Sequence, residues 1–266
     1  MRKVYLDYSA TTPVKEEVLK EMIPYFTEKF GNPSSLYDIG LESKEAVTHA
    51  REQVAALINA KPQEIYFTAG GTEADNWAVF GTVEKLKSKG NHIITTKIEH
   101  HAMLHSCAFL EKEGCQITYL DIDHEGRIDL KQLEDAITDK TVLISIMLVN
   151  NEIGTIQPVK EAAAIAKKHG ILFHTDAVQG LGNVPIDVKD MGVDMMSVSS
   201  HKIYGPKGSG ALYIRKGVNI ANYMHGGGQE SRKRAGTENL AGIVGFGKAA
   251  ELARINFDSH VKHCAK

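Results

Sequence analysis

The chain has 266 residues, of which 42% are hydrophobic and 24% are charged, as in a globular protein rather than a disordered or fibrous one. Its 31 basic and 33 acidic side chains give a net charge of −2, so there is no basic excess for nucleic acid or an anionic membrane. The longest apolar run, near Val142–Val149, is too short to cross a bilayer. This length favours one large domain.

The cysteines and the N-terminal residues indicate in which cellular compartment the protein is expected. Cys107, Cys115 and Cys264 form no CxxC pair, and no apolar segment follows the two basic residues near the N-terminus. We therefore predict no signal peptide and a reduced, cytoplasmic protein.

The first elements are predicted to be helices. Apolar side chains recur at helical spacing over Val14–Phe30, where Thr12 is the predicted N-cap and Pro13 the first helical residue. A second helix is predicted over Leu41–Ile58.

From residue 64 onwards, short apolar runs alternate with longer helical stretches, which predicts an α/β fold with a mostly parallel sheet and helices on both faces. The predicted strands are Glu64–Thr68, His92–Thr96, Gln116–Leu120, Thr141–Val149, Ile171–Thr175, Met195–Ser199 and Ala211–Ile214. The predicted helices are Thr72–Lys89, His101–Lys112, Val159–Lys168 and Thr237–Asn256. The last residues are polar, and we expect them to form no further element.

Unusual polar residues follow these strands, and the carboxyl ends of parallel strands are where such sheets bind ligands. In TAGGTEADN (Thr68–Asn76), the glycines and the helix that begins at Thr72 could hold a phosphate through free N–H groups and the helix dipole. Taken alone, the segment is better explained as a tight turn with an N-cap. The segment matches neither the GxGxxG nor the GxxxxGK[ST] pattern.

Two later segments carry ionisable groups. Asp176 in HTDAVQG ends a buried strand, where it could pair with a protonated ring nitrogen of a cofactor or cap a helix. Lys202 follows another strand, and crowding there would lower its pKa and let its amine bond to a carbonyl carbon. Ser199 and His201 could reach a phosphate. A plain surface lysine is the alternative.

A metal site is disfavoured. His101 and His105 are four residues apart on a predicted helix, but no third ligand lies at a recognisable spacing. His260, His263 and Cys264 are better explained as part of a solvated tail.

Together these segments resemble the pyridoxal-phosphate (PLP) enzymes of fold type I, and more closely the cysteine desulfurases of the NifS/IscS type. The similar segments are VYLDYSATTP (Val4–Pro13), FGNPSS (Phe30–Ser35), GTEADN (Gly71–Asn76), EHHA (Glu99–Ala102), NNEIG (Asn150–Gly154), HTDAVQ (His174–Gln179), SSHKIYGPKGSGALY (Ser199–Tyr213), GGGQE (Gly226–Glu230) and RAGTEN (Arg234–Asn239). Each piece is weak alone, but the ordered set spans nearly the whole chain.

The resemblance implies a three-layer PLP-transferase large domain over residues 1–256, including the N-terminal helical segment, and the start of a C-terminal region over residues 257–266. It implies that Lys202 bonds to PLP and moves the Cα proton, that His100 stacks on the ring, and that Asp176 pairs with the pyridine nitrogen. The other implied cofactor contacts are Gly71, Thr72, Asn151, Gln179, Ser199, His201 and, in a homodimer, Thr237 reaching the partner subunit's cofactor.

The implied reaction converts L-cysteine to L-alanine. The sulfur passes through an enzyme persulfide to an iron–sulfur scaffold or a tRNA-thiolation partner. The chain departs from the family because its members are longer, and their loop cysteine and substrate-binding arginine have no counterpart here. We therefore assign no catalytic cysteine and expect the chain to bind PLP without completing desulfuration alone.

Three alternatives stay open from the sequence: a selenocysteine lyase, another class V aminotransferase-type enzyme, and a non-catalytic PLP-fold scaffold. NNEIG and the EHH segment favour the desulfurase.

Overall fold

The computed structural model describes residues 3–265; residues 1, 2 and 266, at the limits of the predicted domains, lie outside the described part. Seven strands form one sheet in the order β1-β7-β6-β5-β4-β2-β3, and β7 alone runs antiparallel to its neighbours. The mostly parallel sheet predicted from the sequence is thereby confirmed. The strands are β1 (Ile65–Thr68), β2 (His92–Thr96), β3 (Gln116–Leu120), β4 (Thr141–Ser145), β5 (Leu172–Asp176), β6 (Met195–Ser199) and β7 (Gly210–Ile214).

Helices cover both faces of the sheet and complete three layers. They are α1 (Glu16–Met22), α2 (Pro24–Thr27), α3 (Asp38–Leu57), α4 (Gly71–Leu86), α5 (His101–Lys112), α6 (Leu130–Asp135), α7 (Val159–Lys168), α8 (Val188–Met191), α9 (Gln229–Arg232), α10 (Leu240–Ile255) and α11 (Phe257–Cys264). Two 3-10 turns lie at Pro62–Glu64 and Ser200–Lys202.

Two hydrophobic cores lie on opposite faces of the sheet, because successive strand residues point to opposite sides. Ile94 and Ile144 belong to the core shared with α3, α7 and α10. Their neighbours Ile93 and Leu143 belong to the other core, which contains Trp77 of α4 and side chains of α5. Helix α4 packs on the sheet and contacts β1, β4, β5, β6 and β7.

The N-terminal prediction is partly wrong. The helix predicted over Val14–Phe30 is two short helices, α1 and α2, and Pro24 is the first residue of the second. Thr12 does not cap α1, whose N-cap is Lys15. Instead, the buried Thr12 hydroxyl donates to the His201 carbonyl at 2.9 Å and accepts from the Tyr204 N–H at 2.9 Å. The hydroxyl therefore ties the N-terminal segment to the turn that carries Lys202.

The C-terminal prediction is also wrong in one respect. Residues after Asn256 form α11, whose side chains are largely exposed. The domain limit at residue 256 stays a prediction. Among residues 3–265, no helix combines the length and apolarity that a membrane crossing needs, and no group of three metal-binding side chains occurs.

Candidate active site

A cavity of about 460 Å³ lies at the carboxyl ends of the strands. The polar segments after β2, β5 and β6 and the start of α4 meet there, as the order of the sheet requires. The cavity is lined by these residues predicted from the sequence: Gly71, Thr72, His100, Asn151, Asp176, Gln179, Ser199, His201 and Lys202. Thr237 is exposed and does not line it.

The start of α4 forms one wall. The backbone packs closely here, because a Cβ on Gly71 would lie 2.6 Å from Cγ2 of Val178. The first N–H groups of a helix lack intrahelical partners, and they point outward with the positive end of the helix dipole. Ser199, at the end of β6, faces the same cavity. This wall is suited to bind an anion such as a phosphate.

Lys202 occupies the 3-10 turn that follows β6 and is half-buried. Its amine donates to the carbonyl oxygen of Ser9, and to that of Ala10 at 3.2 Å. Burial lowers the pKa of Lys202 below its ordinary value, against the opposing effect of nearby acids, chiefly Asp176. A lowered pKa increases the fraction of neutral amine, which is the form that attacks carbonyl carbons and accepts protons.

Asp176 ends β5 on the floor of the cavity and is buried. Its Oδ1 accepts the Val178 N–H at 2.8 Å. Burial raises the pKa of Asp176, while the Val178 N–H and the nearby His100 and Lys202 act to lower it. A buried carboxylate with an open side toward a cavity is suited to bind a cationic N–H.

His100 and Asn151 stand at the mouth of the cavity. His100 is exposed and is the N-cap of α5, where its Nδ1 accepts the Ala102 N–H at 3.1 Å. A neutral His100 therefore carries its proton on Nε2. Asn151 donates to Oε1 of Glu152 at 2.7 Å. Asn150 fixes this turn, since its Oδ1 accepts the N–H groups of Glu152 and Ile153.

Two further predicted residues, His201 and Gln179, differ in whether their side chains have hydrogen-bond partners within the described chain. Nδ1 of His201 lies 3.1 Å from the Thr11 hydroxyl, and burial lowers the pKa of this histidine. Oε1 of Gln179 is buried and has no hydrogen-bond partner among the described residues. An unpaired buried acceptor beside a cavity is expected to bind a donor on a ligand.

Sequence reasoning missed several residues of the site. Asp7, Ser9 and Ala10 line the cavity although they are far from Lys202 in sequence, and the resemblance had marked only their segment. Asp75 also lines it from within α4. Glu99 lies just behind it, where Thr96 and the Met147 N–H donate to Oε1 at 2.9 Å and burial raises the pKa of Glu99 to about 8.

None of the three cysteines lines the cavity. Cys107 is buried against Met103 in the core, and burial raises the pKa of its thiol to about 12. Burial also raises the pKa of the half-buried Cys115. Cys264 is exposed on α11, 3.8 Å from Nε2 of His260. The first two thiols are poor nucleophiles in these surroundings.

The three layers of helices, sheet and helices, with a lysine amine and a buried carboxylate around one cavity, have the architecture of the large domain of fold type I PLP enzymes. The family model for aminotransferase class-V matches residues 4–266, and the chain belongs to this family. A cysteine desulfurase IscS of Clostridium botulinum is 61% identical over 96% of this chain, and one of Methanosarcina thermophila is 58% identical over 95%.

Solved structures agree with this assignment. A NifS-like protein superposes with a TM-score of 0.96 at 43% identity, covering 98% of this chain and 72% of its own. A structure described as SspA in complex with cysteine gives 0.91 at 44% identity, covering 94% and 72%. The resemblance to NifS/IscS-type desulfurases is thereby confirmed. The chain spans 64% of the length of the Clostridium relative and 62% of the Methanosarcina relative.

Proposed function

We propose that this chain binds PLP in the cavity and forms the larger part of a PLP-dependent cysteine desulfurase. The observation that carries this proposal is the placement of the Lys202 amine, the Asp176 carboxylate and the start of α4 around one cavity. The residues fit the cofactor chemically. Lys202 would bond to its aldehyde carbon, Asp176 would pair with its ring nitrogen, and Gly71, Thr72, Ser199 and His201 would hold its phosphate.

The other predicted contacts complete the fit. Gln179 offers an unpaired buried acceptor and Asn151 an amide at the side of the cavity. His100 would stack on the ring from the mouth. PLP, when bound, would withdraw electrons from the Cα atom of an amino acid.

Lys202 would then act as the base. Its lowered pKa favours the neutral amine, which can take the Cα proton of the substrate and return it. The carbonyl groups of Ser9 and Ala10 accept hydrogen bonds from this amine and hold it at the cavity wall. His100, with its proton on Nε2, would move a proton at the solvent side.

The substrate and partners are inferred from the relatives. We propose L-cysteine as substrate, since relatives are described as cysteine desulfurases and one neighbour was solved with cysteine. We also propose a homodimer in which the exposed Thr237 reaches the partner subunit's phosphate. Sulfur would pass to an iron–sulfur scaffold or a tRNA-thiolation factor, in the cytoplasm.

Exchange of the Cα proton tests this proposal directly and does not depend on any thiol. We expect the chain with PLP to exchange the Cα proton of L-alanine and L-cysteine for deuterium in D₂O, followed by proton NMR. Lys202→Ala should abolish exchange, whereas Lys207→Ala is the matched lysine control. Exchange no faster than with free PLP, or unchanged in Lys202→Ala, would refute the proposal. Net conversion of PLP to its amine form, with pyruvate from alanine, would favour an aminotransferase instead.

A further inference from the structure

A buried polar layer lies directly behind the floor of the cavity. His174 and Asp176 are two residues apart on β5 and therefore face the same side of the sheet. Ser145 of β4 pairs with His174, and Ser197 of β6 pairs with Asp176. Asp75, from the second turn of α4, faces this layer and also lines the cavity.

His174 is neutral in this layer. Its Nδ1 lies 2.8 Å from the Ser145 hydroxyl and its Nε2 lies 2.9 Å from the Ser197 hydroxyl. Burial lowers its pKa to about 3. His174 therefore supplies no positive charge to Asp75, although Nε2 lies 3.7 Å from Oδ1 of Asp75.

Asp75 is only 1% exposed, and its Oδ1 has no hydrogen-bond partner within the described chain. The charged groups that act on it are acidic: Asp176, which is in hydrogen-bonding contact, and Glu99; a hydrogen bond with Ser197 acts in the opposite direction and lowers the pKa of Asp75. Burial without a donor to Oδ1, beside two other acids, strongly disfavours the ionised form of this carboxyl group relative to the carboxylic acid. The same group as a carboxylic acid can donate its proton to a neighbouring carboxylate.

The surroundings of the two acids decide where the proton resides. Asp176 receives the Val178 N–H and lies near His100 and Lys202, all of which favour its ionised form. The Asp75 side chain receives no backbone N–H. Burial and the charge of Asp176 raise the pKa of Asp75 well above its ordinary value, and the contact between the two carboxyls raises it further.

We propose that Asp75 is a positioning residue that stays protonated and donates a hydrogen bond to Asp176, so that Asp176 holds the pair's single negative charge at the floor of the cavity. This role rests on the proposed function, because the charge on Asp176 faces the site proposed for the ring nitrogen. Two ionised acids would repel each other, and a protonated Asp176 would have no negative charge to balance a cationic N–H.

The protonation of Asp75 can be measured on the cofactor-free chain. We expect infrared spectra of the chain with carboxyl-¹³C-labelled aspartate to show a protonated carboxyl band at neutral pH that is sensitive to this label. Asp75→Asn should remove the band, whereas Glu99→Gln, which removes a neighbouring buried acid, should leave it. Absence of the band, or its persistence in Asp75→Asn, overturns the proposal.

The positioning role is tested by PLP affinity. Asn at position 75 keeps an N–H donor toward Asp176, whereas Leu has similar size and no donor. We expect Asp75→Asn to change the PLP dissociation constant by less than about threefold, and Asp75→Leu to raise it by about tenfold or more. An Asn variant that loses tenfold overturns the proposal even if the Leu variant does not fold. Failure of the unsubstituted chain to bind PLP contradicts the proposed function, and the infrared band still decides the protonation of Asp75.

Discussion

The floor and the rim of the cavity are built in different ways. The cavity floor, Asp75 and Asp176, and His174 directly behind it are buried, and their positions are set by the register of β5 and the packing of α4. The cavity rim, Thr72, His100 and Glu152, is exposed and comes from helix starts and a turn. Burial shifts the pKa of both floor residues and of His174. We therefore expect the floor to set the charge that is presented to a ligand, and the rim to recognise the ligand and to exchange protons with solvent.

The floor and the rim should differ most in how the loss of one charge changes the affinity for PLP. Asp176→Asn should weaken PLP binding by about 100-fold, since losing one partner of a buried charge pair costs about 2–5 kcal/mol. Glu152→Gln removes an exposed rim charge and should change affinity by less than about threefold. A fluorescence titration with PLP measures both. Equal losses in the two variants would mean that the floor has no special electrostatic role.

Glu99, behind the floor, should produce a large pH effect. Its pKa is about 8 in the folded chain, because of burial, and near 4.5 when unfolded. Its contribution to stability is therefore fully present below pH 4.5 and is lost as pH rises toward 8. Glu99→Gln should gain stability over the unsubstituted chain across this window, by up to about 1.4 kcal/mol per pH unit. Denaturant unfolding at several pH values measures the difference, and a pH-independent difference would contradict the assignment.

His174 should give stability a pH dependence opposite to that of Glu99. Its folded pKa, about 3, lies below the ordinary value of 6.5, so its contribution to stability is present above pH 6.5 and is lost as pH falls. His174→Gln should become progressively less destabilising than at neutral pH as pH falls toward the acid-unfolding limit. The same denaturant series serves here. A stability difference that grows on acidification would show that His174 is protonated in the fold.

The rim should give the smallest effect. Thr72→Ala removes one hydroxyl donor at the start of α4 and should weaken PLP binding by about fivefold, or about 1 kcal/mol. Binding of pyridoxal, which lacks the phosphate, should be unchanged in this variant. An equal loss for both ligands would place Thr72 away from the phosphate.

The sheet could be predicted closely because buried parallel strands are nearly continuous apolar runs. β2, β3 and β6 have the predicted bounds. Helices α5 and α7 also have the predicted bounds, whereas the ends of the N-terminal helices differ from the prediction, because tertiary contacts decide them. Threonine is a residue type favoured at N-caps, yet the Thr12 hydroxyl forms its hydrogen bonds with the backbone of His201 and Tyr204 instead. α11 was missed because its side chains are largely exposed and give little apolar signal.

The rim and Lys202 could be predicted because polar residues directly after strands are conspicuous. Asp75 and His174 could not, since each lies inside a helix or strand pattern and becomes significant only when α4 packs over β5. The contact of Ser9 and Ala10 with Lys202 spans more than 190 residues of sequence, and no local pattern indicates it.

Lys202 is the lysine that we propose bonds to PLP. The most direct measurement is the intact mass of the chain incubated with PLP, before and after borohydride reduction, with fragmentation to locate any adduct. We predict one pyridoxyl-phosphate mass on Lys202, absent in Lys202→Ala and retained in Lys207→Ala. No adduct, or an adduct distributed over surface lysines and unchanged in Lys202→Ala, would show that Lys202 does not hold the cofactor.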